Sequence, residues 1–333
     1  MTRALVTGGT GFVGANLTRT LLRRGDEVHL AVRPGHARWR LDGIEKSVAF
    51  HDADLRDPHA ISRVVAEVRP EWVFHLATYG AYPDQDDLRT ALEVNTVGTL
   101  NLLEACAAIG FEAFVNTGSS SEYGFKDHAP TEAEALEPNS HYAVSKASAT
   151  LVCTHLARAR SLPVTTLRLY SVYGPYEEPG RFIPALVLHG LEGSLPPLTD
   201  PATARDFVHV EDACNAYLAA AAASPRPGAV YNVGSGVQTT LADAVSIATG
   251  VFGIEERPVW GSLGARRWDT SVWVADARLI RDALGWTATR KFEQGLRETA
   301  EWFRANPELQ AFYRKRLRAP LISSAAGADL RHP

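Results

Sequence analysis

The sequence predicts an α/β protein built on a doubly wound parallel sheet, with a smaller C-terminal lobe. Three observations carry that expectation. Short apolar runs alternate with longer stretches of helical period through the first half of the chain, the pattern of successive βαβ units whose strands are covered on both faces. A glycine-rich turn separates the first apolar run from the first helical stretch. Past about residue 170 the rhythm breaks into Gly- and Pro-rich pieces at 173–180 and 193–201, which mark a second lobe.

Taken in order, the apolar runs at 4–7, 28–32, 48–51, 72–76, 113–117 and 163–169 predict strands. The helical-period stretches at 14–24, 60–68, 95–109 and 141–160 predict the helices between them. Right-handed crossovers then place helices on both faces of the sheet. A helical stretch at 212–223 and an apolar segment at 229–233 read as a late return to the sheet. The expected organisation is a dinucleotide-binding domain at 1–170 with a return near 206–233, a substrate-binding lobe at 171–205 and 234–318, and a loosely held tail at 319–333.

Composition bounds the function. The 333 residues are 45% hydrophobic, 22% charged and 9% aromatic, ordinary for a soluble globular protein of one large or two smaller domains. With 34 Lys and Arg against 38 Asp and Glu, the formal net charge of −4 leaves no basic excess for nucleic acid. Cys106, Cys153 and Cys214 lie far apart without CxxC or Cys/His ligand spacing, so core thiols in a reducing compartment are expected and no metal site. His75, His141 and His209 lie near motif segments but share no ligand spacing and read as structural histidines. The N-terminus runs into apolar residues and glycines without a signal-peptide pattern, and no run reaches the ~18 apolar residues of a membrane span. The expectation is a cytoplasmic protein with no membrane partner.

Thr7-Gly8-Gly9-Thr10-Gly11-Phe12-Val13-Gly14 follows a strand and opens a helix, so Gly9, Gly11 and Gly14 fit GxGxxG in its proper context. Small residues permit the tight turn and the approach of backbone to a pyrophosphate, whose charge sits at the positive end of the helix beginning near Phe12 and Val13. This makes the expected fold a Rossmann-type one. At the end of the second strand, where an acidic residue serves NAD, stand Val32 and Arg33, which favours NADP(H), with NAD(H) still possible. Arg38 and Arg40 add positive charge there if their loop folds back, and otherwise are solvated loop arginines. Asp52 or Asp54, with Leu55, sits where a third strand ends and suits the adenine.

Tyr142-Ala143-Val144-Ser145-Lys146 opens a predicted helix, and a spacing of four puts the phenol and the ammonium on one face, a turn apart. A phenol of pKa near 10 works as acid or base at neutral pH only when its anion is stabilised, and a nearby cation does that.

Together these motifs resemble the extended short-chain dehydrogenase/reductase family that acts on nucleotide sugars, over residues 1 to about 305. The other matching pieces are Phe74-His75-Leu76-Ala77, Asn95 at the head of the next helix, Thr117-Gly118-Ser119-Ser120-Ser121-Glu122-Tyr123-Gly124, Arg168-Leu169-Tyr170-Ser171-Val172-Tyr173-Gly174-Pro175, Arg205-Asp206-Phe207-Val208-His209-Val210 and Tyr231-Asn232-Val233-Gly234. The resemblance implies that Ser119 hydrogen-bonds the reacting sugar oxygen, Tyr142 is the acid/base, and Lys146 holds the nicotinamide ribose and tunes the tyrosine. It implies cofactor contacts at Leu76, Ala77 and Asn95 besides the glycine turn. On the substrate side it implies Thr78, Ser120, Ser121, Ser171 and Arg181, with Arg205 and Arg267 on the diphosphate, where a guanidinium fork suits phosphate. It also implies a homodimer formed through the helices at 95–109 and 141–160.

Departures from the family pattern narrow the reaction. The resembled 4,6-dehydratases follow the hydroxyl with an Asp-Glu pair, whereas Ser120 and Ser121 stand here. Glu122 falls one position late, and a one-residue slip on a strand-like segment turns a side chain to the other face. The string is similar instead to the Gly-Ser-Ser-x-Glu-Tyr-Gly of 4-keto-6-deoxy-sugar nucleotide reductases. Ser171 replaces the asparagine common in epimerases. The leading expectation is NADPH-dependent reduction of the C4 keto group of a nucleotide-activated sugar. The alternatives are a C4-epimerase with tightly bound NAD, a reductase of a non-sugar carbonyl, and a non-catalytic NADP(H)-sensing protein.

Overall fold

The structure, a computed structural model, describes residues 1–80, 82, 84–223, 226–263 and 270–318. Among the described residues the strands are β1 (Arg3–Thr7), β2 (Glu27–Val32), β3 (Ala49–Asp52), β4 (Trp72–His75), β5 (Ala113–Ser119), β6 (Val164–Leu169), β7 (Ser171–Tyr173), β8 (Ala204–His209), β9 (Ala229–Val233) and β10 (Gln238–Thr240). The helices are α1 (Phe12–Arg23), α2 (Pro58–Val68), α3 (Leu88–Ala91), α4 (Gly98–Ile109), α5 (His141–Arg160), α6 (Phe182–Gly190), α7 (Val210–Ala222), α8 (Leu241–Phe252), α9 (Arg278–Leu284), α10 (Phe292–Ala305) and α11 (Pro307–Arg318).

Seven strands form one parallel sheet in the order β3-β2-β1-β4-β5-β6-β9. Ala4, Leu5 and Val6 of β1 are wholly buried, and all four residues of β4 are buried. Such unbroken apolar runs are needed because helices cover both faces. On one face α1 and α7 pack Leu17, Leu21, Ala216 and Tyr217 against Val6, Leu30 and Phe74. On the other, α2, α4 and α5 pack Ile61, Val65, Leu102, Leu103 and Cys153 against Leu5, Val73 and Phe114. This is the Rossmann-like architecture, and its strand order reverses between β1 and β4, where a crevice opens at the carboxyl ends of the strands.

The helix expected at 95–109 starts earlier. Asp87 caps α3 by accepting from Thr90 N at 2.7 Å, a π-helical turn (Leu92–Val97) follows, and α4 continues from Gly98. Asn95 therefore lies inside a helix rather than at its head. Gly98 is required there, since a Cβ would stand 2.8 Å from the Leu55 Cβ.

The expected return at 206–233 divides in two. β8 pairs with β7 and β10 in a separate three-stranded sheet, and only β9, preceded by α7, rejoins the large sheet. The small sheet packs with α6, α8, α10 and α11 around Tyr173, Phe207, Leu296, Phe303 and Tyr313. Trp39, from the segment after β2, inserts against Phe312 and Tyr313 and ties this lobe to the large sheet. Among the described residues no helix is long and apolar enough to cross a membrane. The expected tail at 319–333 lies outside the described residues.

Candidate active site

The crevice begins at the glycine turn. Gly8 has φ of +71°, and a Cβ on it would lie 2.5 Å from Ala77 N, so β1 and the loop after β4 meet through glycine alone. A Cβ on Gly14 would stand 2.1 Å from Gly8 O, so the helix approaches the turn only without a side chain. The N-cap of α1 is Gly11, with no side-chain cap and no acidic residue in the first turn. Its first N–H groups, around Phe12 and Val13, thus have no side-chain acceptor, which is the donor set a pyrophosphate fits. Thr7 Oγ1 accepts from Ala77 N at 3.2 Å and bonds His75 Nδ1 at 2.7 Å, while His75 Nε2 meets Thr99 Oγ1 at 2.8 Å. Burial, with the charge of Lys146, lowers the His75 pKa to about 3, so it is a neutral bracket between β1, β4 and α4.

At the adenosine end, Arg33 is exposed beyond β2 and its charge helps lower the pKa of Asp54, after the larger effect of Arg56. Asp54 is held by Arg56 through Nη2 at 2.7 Å, and Leu55 is buried with its carbonyl accepting from Asn101 Nδ2 at 2.8 Å. The two further arginines diverge. Arg38 lies 4.3 Å over the Phe50 ring, near the β3 end. Arg40 does not add charge here: it is buried, pairs with Glu178 at 2.7 Å and donates to Tyr176 O at 2.8 Å, because Trp39 draws this segment toward the second lobe.

The loop after β4 carries half-buried Leu76 and Ala77 and exposed Thr78. Asn95 fixes it: Oδ1 accepts from Tyr79 N at 2.8 Å and from Thr78 Oγ1 at 3.3 Å, while Nδ2 donates to Tyr79 O and Ser145 Oγ, each at 2.8 Å. Its amide thus ties the loop after β4 to α5.

Ser119 ends β5, level with Leu169 of β6. The next residues form a 3₁₀ turn (Ser120–Tyr123), in which Ser119 Oγ accepts from Ser121 N at 3.2 Å. Helix α5 is capped by Ser140, whose Oγ accepts from Ala143 N at 3.1 Å, and so begins one residue before Tyr142. The Tyr142 phenol is within hydrogen-bonding reach of Ser119 and Thr78, and Lys146 is buried one turn on. Burial raises the Tyr142 pKa, opposed by the Ser119 hydrogen bond and by the Arg181 charge. Among the effects on the phenol burial is the largest, and Arg181 is a cation that opposes it. Burial likewise lowers the Lys146 pKa to about 8, with Glu122 and then Cys153 opposing.

Glu122 turns away from the crevice, but by a 3₁₀ turn rather than by strand alternation. It is fully buried and pairs with Arg168 Nε at 2.8 Å. Ser120 is buried at one wall of a small cleft that also takes in Tyr170, Lys126, His128 and Trp273. Ser121 and Ser171 are half-buried. Arg181 heads α6, and Arg205 in β8 donates to Ala204 O at 2.7 Å. Arg267 lies outside the described residues.

Two residues to which the sequence gives no role belong to the surroundings. Asp206 accepts from Ser235 N, Gly236 N and Ala275 N at 2.7, 2.9 and 3.0 Å, stitching the β8 and β9 ends to the segment before α9. Glu177, four residues before Arg181, is buried with one carboxyl oxygen unpartnered, and burial raises its pKa to about 8. His209, Glu211 and Glu298 approach within ligand distance of one another, but Arg290 already bridges the two carboxylates as a fixed cation.

The family model described as NAD dependent epimerase/dehydratase matches residues 4–234. The chain belongs to that family. Among curated relatives, the dTDP-glucose 4,6-dehydratase of Neisseria meningitidis serogroup B is 29% identical, over 92% of this chain and 94% of the relative. Among solved structures, the UDP-glucose 4-epimerase of Thermus thermophilus, complexed with NAD, is 30% identical with a TM-score of 0.80, over 91% and 99% of the two chains. The Thermotoga maritima UDP-glucose 4-epimerase with UDP-glucose is 27% identical with a TM-score of 0.82, over 91% and 99%. Membership of the NAD dependent epimerase/dehydratase family makes this protein a nicotinamide-dependent enzyme of the nucleotide-sugar group.

Proposed function

We propose that this enzyme transfers hydride between a nicotinamide dinucleotide and C4 of a nucleotide-activated sugar, and that its working direction is NADPH-dependent reduction of a 4-keto-6-deoxy sugar. One observation carries the reading. The Ser119 hydroxyl lies close enough to Tyr142 to act on its phenol, while the segment after Ser119 offers Ser120 and Ser121, and its one carboxylate, Glu122, is buried and paired with Arg168. Water elimination needs an additional acid and base beside the tyrosine, and this segment supplies neither. Redox chemistry at a single carbon needs only the pair that is present.

The glycine turn and α1 would hold the pyrophosphate, Leu55 the adenine, and Lys146 the nicotinamide ribose. Arg33, exposed where an NAD site carries an acid, favours a 2′-phosphate. The bound nicotinamide supplies or accepts the hydride. Tyr142 Oη gives its proton to the sugar oxygen as negative charge develops there. Ser119 Oγ, already accepting from Ser121 N, has its own proton left to donate to the same oxygen. Arg205 and Arg267 would bind the diphosphate, with Arg181 elsewhere on the substrate.

The likeness to NAD-bound UDP-glucose 4-epimerase favours a second reading, a C4-epimerase that retains its NAD. Extraction of cofactor from purified protein, followed by NADPH and NADH titration and a panel of UDP-, dTDP-, GDP- and CDP-linked 4-keto-6-deoxyhexoses, separates them. Cofactor-free protein that prefers NADPH and consumes it with one of these ketones supports the reductase. Stoichiometric retained NAD and interconversion of UDP-hexoses without added cofactor replaces it with the epimerase.

The same proposal includes a homodimer through α4 and α5, around which Val97, Ile109 and Leu151 are 45%, 40% and 61% exposed. Sedimentation equilibrium that finds only monomer at micromolar concentration removes it. Three free, buried thiols support a reducing, cytoplasmic setting.

A further inference from the structure

Glu122 occupies a position that the reaction itself does not use. Its Oε1 accepts from Ser119 N at 2.8 Å and from Thr150 Oγ1 at 3.0 Å, and its Oε2 accepts from Arg168 Nε at 2.8 Å. Arg168 also donates from Nη1 to the Tyr123 hydroxyl at 2.8 Å, and that hydroxyl donates to Asn232 Oδ1 at 2.8 Å. The carboxylate thus joins the end of β5, α5, β6 and β9. Thr150 lies one turn after Lys146 on α5, on the same helical face, so the carboxylate bonds the face of α5 that carries Lys146, and its charge acts on that ammonium.

We propose that Glu122 is the positioning residue of this site, its buried carboxylate fixing the backbone that presents the Ser119 hydroxyl and supplying the counter-charge to the Lys146 ammonium. The inference rests on the reading of Ser119, Tyr142 and Lys146 as the reacting set. Gly118 belongs to the same device, because a Cβ there would stand 2.8 Å from Glu122 Oε1. The groups acting electrostatically on Lys146 agree with it. Desolvation lowers its pKa to about 8, Glu122 is the first group that opposes this and Cys153 the second, while His75 on β4 is neutral at working pH. Arg168 on β6 faces the far oxygen of the carboxylate.

The test reads Lys146 directly. The chain has five lysines, Lys46, Lys126, Lys146, Lys291 and Lys315, so ε-¹³C-lysine labelling gives few resonances, and Lys146→Arg assigns the one of interest. In Glu122→Gln the Lys146 titration midpoint falls by about one pH unit or more, the effect of removing a nearby opposite charge. Since the single variant strands the Arg168 charge in the core, Glu122→Gln/Arg168→Met is measured beside it, with both charges gone and the amide oxygen kept as acceptor. A wild-type midpoint in the folded double variant overturns the inference. In Glu122→Leu/Arg168→Met the acceptor is gone as well, and Ser119 amide exchange rises about tenfold; unchanged exchange also overturns it. Tyr142→Phe turnover tests the underlying reading separately. If that variant keeps full activity the catalytic assignment fails, whatever the Lys146 midpoint does.

Discussion

Asn95 Nδ2 donates to Ser145 Oγ at 2.8 Å, joining the π turn before α4 to the helix that carries Tyr142 and Lys146. Both groups are buried, Asn95 at 1% exposure and Ser145 at none. The same amide holds Tyr79 by two bonds, so the loop after β4 and the helix after β5 are set against each other through one side chain. Asn95→Ala leaves buried donors and acceptors without partners, which costs about 1–3 kcal/mol. Urea unfolding will show that loss. Because the amide is engaged by the protein, NADPH and NADH affinities stay near wild type while turnover falls. A large loss of cofactor affinity with unchanged turnover would make Asn95 a direct cofactor contact.

The proposed preference for NADPH rests on Arg33, exposed beyond β2. A guanidinium on a phosphate makes charge-assisted hydrogen bonds, and Arg40 does not duplicate it, being held by Glu178. Arg33→Ala therefore reduces the preference for NADPH over NADH by at least about tenfold, or about 1.4 kcal/mol. Fluorescence titration of both cofactors on both proteins measures it. Equal effects on the two affinities would show that Arg33 does not contact the 2′-phosphate.

The divergence of Arg40 from Arg38 shows where a single sequence stops being readable. The strands, the glycine turn and the start of α5 are local patterns, set by runs of apolar residues, by Gly8 and Gly14 and by the Ser140 cap. Arg40 is decided by Glu178, far along the chain, and by Trp39 seeking the aromatic cluster of α11. The inward turn of Glu122 is similarly decided by Arg168 on the next strand and Thr150 on the next helix. The early start of the helix before Asn95 has a local signal in Asp87 and Thr90, but the π turn masks it by breaking the apolar period. Of Glu177 and Glu178, adjacent carboxylates, nothing local says which is buried.

Gly118 bears on both stability and the site. A methyl there would meet Glu122 Oε1 at 2.8 Å, Thr166 Cγ2 at 2.9 Å and Arg168 Cγ at 3.1 Å. None of these can retreat easily, because each belongs to a buried strand or ion pair. Overpacking of this kind costs about 1–3 kcal/mol. Gly118→Ala should thus melt earlier and turn over more slowly, whereas Gly250→Ala, where a Cβ meets nothing within 4 Å on the α8 helix, should melt no earlier. Equal melting of Gly118→Ala and wild type would mean the strand shifts to accept the methyl.

Glu177 makes stability depend on pH in a definite direction. Burial raises its pKa from 4.5 to about 8. Between those values the folded protein binds a proton that the unfolded chain has lost, so stability declines as pH rises from about 4.5 through 8. His75 works at the other end. Its pKa falls from 6.5 to about 3, so the unfolded chain takes up a proton that the folded protein refuses, and stability declines as pH falls from about 6.5 to 3. The two slopes leave the best stability on the weakly acid side of neutrality. Glu177→Gln keeps the shape and removes the titrating group, so it should flatten the alkaline slope and raise stability at pH 8 by about 1–3 kcal/mol, with the acid slope unchanged. Thermal or urea unfolding from pH 4 to 9 reads both. A Glu177→Gln curve parallel to wild type above pH 6 would show that Glu177 is charged in the folded protein and that Arg181 compensates it fully.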